Sequence, residues 1–327
     1  MTWAVWRQQR AQLITLLAVL VAGAASILLL RSSMTSYLDT HGLVSCIASG
    51  VQPGSTCGQA AQEFQAVWFD RMKIGQLLVL ALPALIGLFC GAPLFARELE
   101  QGTHVLAFTQ SVSRTRWMAT KFAVAAAPAL VVLVALQLLV TGWLNAAGEL
   151  GPLATGPFAY STFGASGIAP VSYALFTFAL GMLVGALSGR TLAAMAVTLT
   201  VFVVVRFVLS GLQQFLLPAN RVVSDDPSQP SITDQNALVV RSGFLDARGT
   251  PLPDDAQVRV GQCGARGDTA ATADLATCYR EQGLVKSFAD IIPSSDVGTM
   301  HLIEASIFGG LAVIFLLATG WALRRQT

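Results

Sequence analysis

GMLVGALSGRTLAAMAVTLTVFVVVRFVLSG, residues 181–211, decides the fold. Two apolar runs meet at the dipeptide Gly189-Arg190, and Arg190 and Arg206 are the only charges in the stretch. The second run, Thr191–Gly211, is long enough alone to cross a bilayer, which takes about 20 apolar residues. The first run begins further back, at Ala169. Two such runs joined by a dipeptide form a tight hairpin of membrane-spanning helices. Gly181, Gly185 and Gly189 recur every fourth residue, a spacing that lets a second helix come close. Gly87 and Gly91 offer the same device. Close packing inside one subunit is the favoured use of these glycines over a seam between two copies.

Outward from this hairpin, four more runs have spanning length, and the full set is about Leu13–Leu30, Ile74–Ala96, Phe122–Leu144, Ala169–Ser188, Thr191–Gly211 and Leu302–Leu323. Composition agrees. The 327-residue chain is 54% hydrophobic and 12% charged, with mean hydropathy +0.62. A soluble domain carries about 25% charged residues. The expected fold is an all-α membrane protein, a single polytopic domain of six transmembrane helices. An N-terminal interfacial helix precedes them, and a large extracytoplasmic segment, 212–300, lies before the last. The first run exceeds a signal-peptide core of about 7–15 residues, and its small residues, Ala22 to Ala25, lie mid-run. It is expected to be an uncleaved anchor. A net charge of +2 without a basic, aromatic-interleaved patch argues against nucleic-acid binding.

Charge placement orients the chain. With both termini in the cytoplasm, the inner segments 1–12, 97–121, 189–190 and 324–327 hold Arg7, Arg10, Arg97, Arg114, Arg116, Lys121, Arg190, Arg324 and Arg325 against Glu98 and Glu100. The outer segments carry more acids than bases over far more residues. This satisfies the positive-inside rule, and the reverse orientation breaks it. Cys46, Cys57, Cys263 and Cys278 all fall on the outer side in this orientation, as disulfides in an oxidising compartment would. Four cysteines allow three pairings. The local pairing, Cys46–Cys57 and Cys263–Cys278, closes small loops and is the expectation. A zinc site is the alternative, but no CxxC pair and no nearby HxxxH accompany these cysteines. Cys90, alone inside the second span, suits packing.

Other features are few. Trp3, Trp6 and Arg10 fall on one helical stripe, which suits a short helix on the inner leaflet before the first span. Pro83 and Pro128 lie inside spans, where neighbours can satisfy the freed backbone. Residues 145–168, rich in Gly, Pro and Ser, read as a loop or a short re-entrant piece. Within 212–300, DDPSQPSITDQN and GTPLPDDAQ read as turns, and TADLATCYREQGLV as a short helix. Gln137 is mid-span. Arg206 and Glu304 lie near the outer ends of their spans and form a candidate intramembrane pair. No chain of buried acids suggests a proton-driven pump.

The densest polar stretch is FARELEQGTHVLAFTQSVSRTRWMATK, Phe95–Lys121, between the second and third spans. Leu99, Val105, Leu106 and Phe108 give it an apolar face suited to docking on a partner. Ser113 can cap a helix running through Arg114, Arg116 and Trp117 into the third span. Arg114, Arg116 and Lys121 suit lipid phosphates. The pieces RELEQGT (97–103), TQSVSRTRW (109–117) and Lys121, with WRQQR near the N-terminus, resemble the permease subunits of type-2 ABC exporters, actinobacterial members in particular. The six spans, the tight hairpin and the large segment before the last span resemble that class over the whole chain. Two departures are Gln110, where many relatives carry proline, and the size and cysteine content of segment 212–300.

The resemblance implies that 97–121 is a coupling loop, with Glu98, Glu100, Gly102, Thr103 and Leu106 meeting an ATPase and Trp3, Trp6, Arg114, Arg116, Trp117 and Lys121 at the inner leaflet. It implies two ABC ATPase subunits, a second permease subunit (the same or different), and export of a drug, antibiotic or other hydrophobic compound across the plasma membrane. The sequence has no Walker A motif, so ATP and Mg would sit on the partner ATPase, and no cofactor, metal or catalytic residue is assigned to this chain. The alternatives are a membrane enzyme using His41 or His301 with acids of 212–300, and a non-catalytic sensor or immunity protein.

Overall fold

The computed structural model describes residues 2–45, 56–101, 114–228, 232, 234, 236–253, 263 and 272–325. They form two compact units: Met1–Thr155 with Ala159–Ser210 and His301–Thr327, and Gly156–Phe158 with Gly211–Met300.

The first unit is helical. Its elements are α1 (Thr2–Thr40), α2 (Thr56–Ile86), α3 (Pro93–Glu100), α4 (Arg114–Ala147), α5 (Tyr160–Ala165), α6 (Ala169–Ser188), α7 (Thr191–Leu212) and α9 (Val297–Arg325), the last two extending into the second unit. Among the described residues, six helical stretches are long and apolar enough to cross a membrane: Arg10–Thr40, Cys57–Glu100, Trp117–Leu150, Ala169–Ser188, Thr191–Phe215 and Ser294–Arg325. Each contains one run read from the sequence, and most extend beyond it.

The N-terminal segment differs from expectation. No separate interfacial helix precedes the first span, because α1 runs unbroken from Thr2. WRQQRAQL holds no Gly or Pro to stop it, and its residues are mostly good helix formers. At 39 residues, α1 is about 58 Å long, well beyond the hydrocarbon core of about 30 Å.

α6 is the central helix, with Tyr173, Phe176, Phe178 and Met182 fully buried, whereas α1 turns Leu17, Leu28 and Leu29 outward. Outward leucines are the natural surface of a helix in lipid, where packing rather than hydrophobicity holds helices together. The glycines provide that packing. A Cβ on Gly181 would lie 2.8 Å from Gly87 O, one on Gly185 2.6 Å from Ala92 O, and one on Gly91 2.7 Å from Phe178 O. These four glycines thus bring α6 against α2 and α3 within one chain, where the backbones nearly touch. The seam coincides with a π turn, Gly87–Gly91, that joins α2 to α3. Its wide ring and Pro83 disturb the regular ladder, and the Thr177 hydroxyl of α6 donates to Pro83 O at 2.6 Å. Cys90 is buried and free in this seam. Gly189 ends α6 in the left-handed region at φ +59°, as the tight hairpin requires.

The second unit carries a three-stranded antiparallel sheet, β1 (Asn220–Ser224), β2 (Leu238–Leu245) and β3 (Lys286–Ile292), in the order β1-β3-β2. The helix expected at TADLATCYREQGLV is α8, Thr272–Glu281. The three strands lie outside the pieces read as turns, 225–236 and 249–257, in stretches for which no strand was expected, so segment 212–300 is a small α+β unit in an otherwise helical protein. Arg221 faces Asp290 directly across β1 and β3, and its Nε and Nη2 donate to the two carboxylate oxygens at 2.7 and 2.8 Å. Cys263 and Cys278 form a disulfide. Cys57 is also disulfide-bonded, and its expected partner Cys46 lies outside the described residues.

Candidate functional site

Two polar constellations stand out in the first unit. The first gathers where α3, α4 and α7 meet. The amphipathic octapeptide PLFARELE starts α3 with Pro93 at its first turn, where a missing N–H costs nothing. The helix buries Phe95 and Ala96 and ends on Glu98 and Glu100. Glu98 forms an ion pair with Lys121 of α4. Lys121 is only 3% exposed, and its ammonium lies 4.2 Å from the Trp117 ring centre and 5.8 Å from that of Phe95. Glu100 Oε2 accepts from Thr191 N at 3.2 Å and Thr191 Oγ1 at 2.8 Å, so it caps the start of α7 from outside that helix. The two acids therefore bind inside the chain, one to α4 and one to α7. Trp117 and Lys121, expected at the lipid surface, turn inward instead. The reason is chemical: Glu98 supplies the counter-charge and the aromatic faces a cation–π bed, so the ammonium has no need of phosphate.

The rest of the expected coupling set, Gly102, Thr103 and Leu106, lies outside the described residues. Trp3, Trp6, Arg114 and Arg116 fall on described backbone, in α1 and α4.

The second constellation lies toward the other end of α7. Arg206 Nη1 donates to Glu304 Oε1 of α9 at 2.8 Å and to the Tyr173 hydroxyl of α6 at 2.6 Å. The Tyr173 hydroxyl in turn donates to Glu304 Oε1 at 2.8 Å. All three side chains are buried. The candidate pair is thus a three-cornered link among three spans. Tyr173 is the member that sequence reasoning missed. A tyrosine near a span end resembles any interfacial aromatic, and only the register of α6 against α7 and α9 brings it to the pair.

Next to it, the short buried helix α5 packs against α2 and α6. Lys73 Nζ donates to Ser161 Oγ at 3.1 Å, Gln76 to Thr162 Oγ1 at 3.4 Å, and Gln137 Nε2 to Gly167 O at 2.7 Å. His301 stacks on Phe163 with ring centres 4.0 Å apart. His41 stacks on Tyr37 and bonds its backbone carbonyl, a separate local contact. Among the described residues, no three His, Cys, Asp or Glu side chains are grouped to hold a metal.

Six apolar helices with buried polar links between them define a polytopic membrane protein. The chain matches the model of a family described as ABC-2 membrane transporter related over residues 17–213, more than half of its length, and it belongs to that family. No curated protein and no solved structure matches it. The family makes it an ABC-2 type permease and implies an ABC ATPase as its partner.

Proposed function

We propose that this chain is the permease subunit of an ABC exporter, with segment 97–121 as its coupling loop. The observation that carries the reading is the anchoring of Glu98 and Glu100. One acid ties the start of the loop to α4, beyond the loop's far end, and the other ties it to the N-terminus of α7. Displacement of residues 101–113 by a partner is then transmitted to two spans at once. Gly102, Thr103 and Leu106 are assigned the contact with the ATPase, and Glu98 and Glu100 the transmission.

In this reading two ATPase subunits hold ATP and Mg, and a second permease subunit completes the pathway. Both termini are cytoplasmic, in the plasma membrane, as the placement of Arg and Lys supports. Trp3, Trp6, Arg114 and Arg116 face the inner leaflet. The cargo is a drug, antibiotic or other hydrophobic compound moved outward, which the resemblance supports. The test is the Glu98→Ala/Glu100→Ala variant, isolated with the ATPase from native membranes. It should insert normally and keep the ATPase bound, while ATP hydrolysis no longer drives transport of a panel of hydrophobic dyes. Normal ATP-driven transport by this variant overturns the assignment.

A further inference from the structure

We propose that the cavity beside Arg206 is a binding site for an acidic amphiphile, a molecule with a carboxylate or phosphate head and an apolar tail. The cavity has a volume of about 110 Å3 and is bounded by Leu80, Tyr160, Phe202, Val203, Arg206 and Phe207. That is room for several waters or one small acid group, and not for a folded partner.

Its two ends differ in chemistry. On the outside, Val203 and Phe207 are 55% and 80% exposed, on a face of α7 that also presents Val204 and Val208. A face of this kind belongs in hydrocarbon, so the cavity opens to the acyl chains of a bilayer. On the inside stands Arg206, only 5% exposed. Its Nη1 serves both Tyr173 and Glu304, while Nε and Nη2 make no hydrogen bond among the described residues. Those two nitrogens form one edge of the guanidinium, a pair of parallel N–H donors that matches the two oxygens of a carboxylate or phosphate.

The surroundings hold that edge in place. Its guanidinium carbon lies 4.1 Å from the Tyr173 ring centre and 5.1 Å from that of Tyr160. A Cβ on Gly164 would lie 2.7 Å from Nη2, so glycine there is what leaves the edge room. Leaving donors of a buried cation unused is costly, and an oxyanion entering from the lipid would use them. Among the described residues no carboxylate lines the cavity, and Arg206 itself repels a cationic head.

The site requires the chain to lie in a bilayer, and it does not depend on the transport reading. Its test uses the full chain without ATPase, so failure of one leaves the other standing. The chain in phosphatidylcholine nanodiscs is photolabelled with diazirine-bearing fatty acid, phosphatidic acid or fatty alcohol of matched length. We expect one or both acids to label the peptide containing Val203 and Phe207 at least about tenfold more than the alcohol, as a charge-assisted fork should achieve. Acid labelling should fall to the alcohol level in Arg206→Lys, which keeps a cation near Glu304 and loses the fork. Val203→Trp, which blocks the mouth while leaving Arg206 and Glu304 intact, should do the same and covers the case in which the lysine variant does not fold. Labelling by the fatty acid alone marks a free amphiphile as the occupant, and labelling by phosphatidic acid a bilayer lipid. Equal labelling by acids and alcohol, or acid labelling that survives a folded Arg206→Lys or Val203→Trp, overturns the proposal.

Discussion

The buried link of Tyr173, Arg206 and Glu304 places a full ion pair inside a helical bundle. Removing one partner of such a pair strands the other, at about 3–5 kcal/mol, whereas replacing both can be nearly neutral. Arg206→Met and Glu304→Gln should therefore each lower the melting temperature of the purified chain. The double variant should lie above both, since it leaves no buried charge stranded. Additive losses in the cycle would mean that the pair is not coupled. At this scale the sequence was half legible. Arg206 and Glu304 stood out because charge in an apolar run is rare, but their distance apart in the chain hid the third member. Lys121 misled for the opposite reason. A lysine flanking a span signals topology and lipid phosphate, and nothing local shows that Glu98 meets it across segment 102–113.

At the scale of elements, the glycines of α6 act by their absence of side chains. Gly185→Ala would force a Cβ to 2.6 Å from Ala92 O, a backbone atom that cannot give way, and should destabilise the chain by about 1–3 kcal/mol. Gly310→Ala in α9, with nothing within 4 Å, should stay within about 0.5 kcal/mol. Thermal unfolding in detergent compares the two. This seam was legible because a four-residue repeat of glycine in a span has a direct steric meaning. The sheet of the second unit was not. KSFADII and LVVRSGFL are short, and the turn formers around them dominate any local reading. The sheet exists through the pairing of β3 with two strands distant in sequence. Its carboxylates set a pH response. The hydrogen bond from Arg221 holds Asp290 below the usual carboxylate range, and Ser228 and Ser294 do the same for Asp226 and Asp234. As pH falls, the unfolded state takes up protons first, near pH 4. The stabilisation is therefore complete at neutral pH and is lost as pH drops through the lower folded values. Hydrogen exchange of the β1 and β3 peptides, corrected for intrinsic pH dependence, should be flat from pH 7 to about pH 5 and rise below about pH 4. Arg221→Gln should weaken that dependence.

At the scale of the whole molecule, the chain joins two kinds of construction. One is a lipid-facing helical unit closed by glycine contacts and buried polar links. The other is a small α+β unit stapled by Cys263–Cys278, whose closed loop should contribute about 3 kcal/mol. The Cys263→Ser/Cys278→Ser variant should speed proteolysis within 212–300 and leave the helical unit inserted, as limited digestion of membranes would show. The membrane class was legible at once from the apolar runs, because the bilayer imposes their length. The coupling role proposed for 97–121 comes only through its likeness to a family, since residues that dock on a partner carry no chemistry of their own. The deciding measurement is ATP-dependent dye transport by proteoliposomes holding the chain with its native ATPase, wild type beside Glu98→Ala/Glu100→Ala. The expected result is an intact complex that hydrolyses ATP without moving dye. Transport at the wild-type rate would contradict it.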